Sequence, residues 1–189
     1  PAARQGVAIH AYALLAGEVH LLATPAEAES LARLMQSIGR RYVALFNRRH
    51  ARRGTLWDGR FRTSLLDSQT LLLPAMLHIE ALPTRAGLAS AAADWPWSSA
   101  AHHIGRRRDP LVTEHALYWR LGNTPFEREH AHTVALHEAL QSVEDMRFGL
   151  AVVKGLALGP AGFVHRMAEA LGRPLGPRAR GRPAARPMS

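Results

Sequence analysis

Val7-Ala8-Ile9-His10-Ala11-Tyr12-Ala13-Leu14-Leu15-Ala16-Gly17-Glu18-Val19-His20-Leu21-Leu22 is an apolar, β-rich run that breaks once, at Ala16-Gly17, and then resumes. That pattern predicts two antiparallel strands joined by a tight turn within Val7–Thr24. From Pro25 the period changes. Leu31, Leu34, Met35, Ile38, Tyr42, Leu45 and Phe46 recur at helical spacing and predict one long amphipathic helix over residues 26–50. The stretch Thr55-Leu56-Trp57-Asp58-Gly59-Arg60-Phe61-Arg62-Thr63-Ser64-Leu65-Leu66 then reads as a loop entering a short third strand. Asp67 or Ser68 caps a further helix predicted to end near Ala81, closed by Pro83 and Gly87. Pro74 lies inside it, where a proline costs about 3 kcal/mol unless the helix kinks.

An aromatic loop, Asp94-Trp95-Pro96-Trp97-Ser98-Ser99, leads into a short helix near Ala100, and beyond Asp109 the pattern is helical throughout. One helix is predicted from Thr113 and another from Thr124-Pro125-Phe126-Glu127, a capping box with proline at the first helical position. Shorter helical pieces are predicted near residues 143–153 and 160–171. The chain divides accordingly into an α+β region (1–108), a helical C-terminal region (109–172) and a basic tail (173–189). The tail holds five arginines, four prolines and no acid, and is expected to be disordered when free.

The composition, 47% hydrophobic over 189 residues, suffices for a buried core. No apolar run is long enough to span a bilayer and no signal segment is evident, so a cytoplasmic protein without a membrane partner is expected. The absence of cysteine excludes disulfides and thiolate zinc sites and leaves His and carboxylate as the metal donors. The net charge is +9, and of the 24 basic residues only Lys154 is lysine. So basic a chain is expected on nucleic acid or another anionic surface. The densest stretch runs from Arg33 to Arg62, nine arginines against the single acid Asp58, and reads as a phosphate track that includes Arg40, Arg41, Arg48, Arg52, Arg60 and Arg62.

Taken in order, the hairpin, the arginine-rich helix, the Gly54-Thr55-Leu56-Trp57-Asp58-Gly59-Arg60-Phe61 segment, the Pro83-Thr84-Arg85-Ala86-Gly87 helix end and the Asp94–Ser99 loop resemble one family. It is the REP-associated tyrosine transposases, relatives of the small insertion-sequence transposases of the HUH class. The likeness runs from about residue 6 to 125, more weakly to 180. It implies a ferredoxin-like core and binding of hairpin or single-stranded DNA. It also implies strand transfer by a tyrosine with Mg²⁺ or Mn²⁺, the chemistry of DNA transposition and recombination. The family places a strand and a helix before the hairpin, where this sequence has only residues 1–6. The expected fold is therefore an α+β ferredoxin-like HUH core lacking its first strand and helix. The unpaired edges beside Val19–Leu22 and Thr63 would belong to a fragment or pair with another chain, a second copy included.

The family's metal-binding His pair corresponds to Glu18 and His20, its tyrosine to His78, and the amide side chain one turn later to Leu82. Glu18 and His20 retain donors for Mg²⁺ or Mn²⁺. Leu82 offers none, and none of Tyr12, Tyr42 and Tyr118 stands where the nucleophile would be. The leading expectation is a DNA-binding protein with impaired cutting chemistry. One alternative is a working metal-dependent nuclease that uses Glu18, His20 and His78, and another is a non-enzymatic RNA-binding or structural basic protein. Trp57 is expected to stack a base, Phe61 to lie in the core, and Arg180 and Arg182 to enter an A·T minor groove as in an AT-hook. His102, His103, His130, His132 and His137 are expected at the surface.

Overall fold

The computed structural model describes residues 2–143 and 146–177. The hairpin forms as expected, β1 (Val7–Leu14) antiparallel to β2 (Val19–Pro25). Its register slips between Ile9 and Ala11, so His10 is an extra residue on β1 and the alternation of faces restarts after it. Val7, Ile9 and Tyr12 consequently share one core cluster with Leu34 of α1 (Ser30–Arg49). Ala11 and Ala13 share another with Leu72, Ala75, Met76 and Ile79 of α2 (Ser68–Arg85). The hairpin is thus covered by a helix on each face.

α2 is the central element. It buries Leu72, Ala75, Met76, Ile79, Glu80, Ala81 and Pro83, which is the burial expected of a helix apolar nearly all round. It does not stop at Ala81. Pro74 and Pro83 both lie within the helix, which continues to Arg85, where the Ala86 N–H donates to the Leu82 carbonyl. Pro74 is exposed and Pro83 buried, so packing around the last turn compensates the hydrogen bond that Pro83 cannot make.

The remaining elements are short helices and one small sheet. α3 spans Ala100–His103, and α4 spans only Ala116–Trp119, where a helix from Thr113 was expected, because the His115 side chain caps it at Leu117 N–H. α5 (Pro125–Gln141) opens with the expected Thr124–Glu127 capping box and is followed by α6 (Arg147–Lys154) and α7 (Ala161–Ala170). The third strand, β3, shrinks to Leu65–Leu66 and pairs in parallel with β4 (Ala157–Leu158) rather than joining the hairpin. One of its two edges is therefore paired.

The fold is mixed α+β with a two-stranded antiparallel hairpin, not a demonstrated ferredoxin-like sheet. The outer side of β1 is met by isolated bridges from Ser98 and Val112, whereas β2 has no further strand beside it among the described residues. Leu117 and Tyr118 of α4 and Phe148 of α6 belong to the same cluster as Ala11 and Met76, so the C-terminal helices share the hairpin's core. Among the described residues no helix is long and apolar enough to cross a membrane. Arg180 and Arg182 lie outside the described residues.

Candidate functional site

Three places carry the chemistry anticipated or missed in the sequence. The first is a groove of about 470 Å³ at the hairpin turn, lined in part by Glu18, His20, Leu82 and Arg85. Glu18 precedes β2 and His20 lies within it. Their side chains meet on one side, Glu18 Oε2 standing 2.9 Å from His20 Nε2. The pair is open to water, Glu18 more than His20. Leu82 reaches the same groove from the last turn of α2. His78 does not line it. The His78 ring packs on Phe148 of α6, centroids 5.0 Å apart.

The second place is the C-terminal half of α1 with the loop after it. Arg40, Arg41, Arg48, Arg52, Arg60 and Arg62 are all exposed, and no ion pair among the described residues involves any of them. Arg33, nearer the start of α1, is instead held by Glu27 and Glu29. Aromatic rings run through the same surface. Tyr42 lies 5.9 Å from both Phe46 and Trp57, Phe46 lies 4.2 Å from the His50 ring, and the Arg52 guanidinium sits 5.9 Å from the Phe46 centroid. Trp57 is half-buried, its Nε1 without a hydrogen-bond partner, whereas Phe61 is 45% exposed and not in the core as anticipated. A surface of this kind can stack bases on ring faces and meet phosphates with guanidinium.

The third place was not anticipated. Glu80, on α2, is fully buried, and it gathers three partners from distant parts of the chain. Ser99 Oγ donates to Glu80 Oε1 at 2.5 Å, His103 Nδ1 lies 2.6 Å from the same oxygen, and His132 Nε2 lies 2.7 Å from Oε2. The expected surface positions of His103 and His132 are overturned: their exposures are 0% and 1%. His102 is half-buried, and only His130 and His137 of that group are exposed. Burial by itself would push the Glu80 carboxyl up, but the His103 charge and hydrogen bond, with those of His132, outweigh it and hold the group well below the usual carboxylate range.

Supporting bonds fix this cluster. Ser99 Oγ also accepts from the Tyr12 N–H of β1, and the Tyr118 hydroxyl of α4 donates to the His103 carbonyl. His103 Nε2 is buried without a hydrogen-bond partner. Each of Glu80, His103 and His132 offers one ligand atom, and these atoms lie within 4.8 Å of one another, so the group can hold a metal ion. It is the one such group of three among the described residues, and Glu18 with His20 is not part of it.

Two sequence signals pointed to the cluster. Glu80 is the single charged residue in the apolar run Leu71–Leu82, and an acid so placed must find partners when it is buried. His132 stands four and eight residues before Leu136 and Leu140, on the apolar stripe of α5, whereas His130 and His137 fall off it. No family model, curated protein or solved structure matches this chain.

Proposed function

We propose that this chain is a transposase-like protein that binds hairpin or single-stranded DNA on the arginine and aromatic surface of α1 and its following loop, and that its strand-cutting chemistry is impaired. The observation that carries the reading is the surface of α1 and its following loop: six exposed arginines without a carboxylate partner among the described residues, interleaved with Tyr42, Phe46 and Trp57. Duplex DNA offers its bases only through the grooves. Unpaired bases can stack on exposed rings, which is why this mixture favours single strands and loops. The ordered motifs of the sequence agree with the same reading.

Impairment is argued from the groove. Glu18 and His20 give two donors, Leu82 gives none, and His78 does not line the groove, its ring packing on Phe148. Glu18 and His20 alone would leave most of the coordination of Mg²⁺ or Mn²⁺ to water and substrate phosphate, with no amide ligand from Leu82 to fix it. This weakened ligand set is the ground for reading the groove as impaired in organising a phosphodiester for attack.

The test is binding of a labelled DNA hairpin across a salt series, in competition with duplex DNA and with an RNA hairpin of the same sequence. Preference for hairpin or single-stranded DNA with a steep salt dependence supports the proposal. Equal or better binding of RNA moves the chain to an RNA-binding role, and no binding at low salt rejects both. Strand scission with Mg²⁺ or Mn²⁺ that disappears in His78→Ala overturns the impaired reading.

A further inference from the structure

The buried cluster on α2, α3 and α5 plays no part in the DNA reading, and its residues have a chemistry of their own. We propose that Glu80, His103 and His132 form a structural zinc site that staples α5 to the centre of the fold. The three ligands come from separate helices, all are essentially inaccessible to water, and their donor atoms converge within 4.8 Å. Two imidazole nitrogens and one carboxylate oxygen are a donor set suited to Zn²⁺. The harder Mg²⁺ and Ca²⁺ prefer oxygen throughout.

Charge compensation points the same way. The ion pairs that Glu80 makes among the described residues are with His103 and His132, and no Arg or Lys shares them. The positive charge that balances this buried carboxylate must then be a proton on an imidazole or a metal ion. The tautomer of His103 leaves the metal open. With its proton on Nδ1, directed at Glu80, His103 Nε2 is a buried lone pair without a partner. Moving the proton to Nε2 breaks no bond at that end of the ring and frees Nδ1 to bind the ion.

Ligands about 2.0–2.2 Å from a tetrahedral ion stand roughly 3.3–3.5 Å apart. The separations of 2.6 and 2.7 Å from Glu80 to the two rings must therefore open by several tenths of an ångström. Ser99, bonded to Glu80 Oε1, orients the carboxylate in the way that outer hydrogen bonds orient metal ligands. Water or the Ser99 hydroxyl completes the fourth position. A zinc ion here contributes its binding free energy to folding.

The experiment uses the full chain, purified with zinc present and passed through gel filtration. The expected result is about one zinc per chain, a melting temperature that falls on chelation and recovers with zinc, and tetrahedral visible bands when Co²⁺ replaces it. Glu80→Gln and His132→Gln lose the metal, and Ser99→Ala weakens affinity by about 10- to 100-fold. Glu18→Ala with His20→Ala retains it. If the ligand variants do not fold, X-ray absorption on the unmodified chain decides, with two imidazoles and an oxygen donor expected at about 2.0–2.2 Å. A folded chain that takes up no zinc from excess overturns the proposal, as does a zinc shell without that donor set or uptake that survives Glu80→Gln and His132→Gln.

Discussion

Truncation of Glu80 to alanine, measured in chelator so that hydrogen bonds alone are read, should be among the most damaging single changes in the molecule. The carboxylate serves Ser99 Oγ, His103 Nδ1 and His132 Nε2, all in residues buried to within 1%. Each group left unpaired costs about 1–3 kcal/mol, and breaking a buried charged pair costs about 3–5 kcal/mol in all. These overlapping estimates predict a loss of about 3–6 kcal/mol against the roughly 5–15 kcal/mol that holds a domain together. Glu80→Gln keeps the size and one acceptor oxygen but points an amide N–H₂ at a ring, so it should lose less, about 2–4 kcal/mol. The assay is urea unfolding followed by circular dichroism, with Ser99→Ala and His132→Gln combined with Glu80→Gln to measure coupling. A loss below about 1 kcal/mol in Glu80→Ala would show that water satisfies these groups as well as the carboxylate does, and the reasoning would fail.

Replacing Arg40, Arg41 and Arg48 together by alanine should lower the slope of log affinity against log salt for single-stranded DNA by about 2, since each lost phosphate contact removes about 0.7; an unchanged slope excludes α1 as the phosphate track. Pro74→Ala should stabilise the chain by about 1–3 kcal/mol, because residue 74 is exposed and inside α2, and alanine restores the missing backbone bond; no gain in urea midpoint would mean that packing depends on the proline. Burial, with lesser contributions from His115 and His103, lowers the His10 pKa against the opposing bond to Thr113, so its neutral form contributes stability that is present above the unfolded value near 6.5 and is lost as pH falls below it. His10→Gln should flatten the stability profile between about pH 6.5 and 5, and an unaltered profile would assign the acid sensitivity elsewhere. His78→Tyr alone should leave a labelled hairpin uncut in Mn²⁺, because Leu82 still offers no ligand; a covalent protein–DNA adduct would contradict this.

The hairpin, the long helix and the Thr124 capping box were legible because each rests on local chemistry: alternation, a 3.6-residue period, and a side chain bonding its own helix terminus. The end of α2 was misread for a tertiary reason. Pro83 normally closes a helix, yet here it is buried inside one that runs on to Arg85, and burial is a property of the whole fold that no local pattern encodes. The third strand forms at the end of the expected stretch, but its partner was not legible, since Leu65–Leu66 pairs with Ala157–Leu158, more than ninety residues away, and no local signal encodes that pairing. His103 and His132 looked like surface residues because histidine is neutral to pattern analysis. Their burial follows from Glu80, and only the fold brings the three together. The arginine surface was readable for the opposite reason, because charge without counter-charge is visible in one dimension.

α2 separates the groove from the interior. Leu82 faces Glu18 and His20 on one side of the helix, while Glu80, two residues earlier and about 200° around, faces α3 and α5. Substitutions at Glu18, His20 or Leu82 therefore change an open groove and are expected to be tolerated by the fold. A change at Glu80 strands polar groups on two other helices. The arginine surface belongs to neither side: it lies on α1, anchored through Leu34 to the other face of the hairpin. Loss of donors at the groove is thus expected to leave the arginine surface and the stability of the fold as they are. Variants at Glu18 and His20 should leave hairpin affinity and the urea midpoint together unchanged, whereas a joint loss of both would mean that the groove and the arginine surface act as one site.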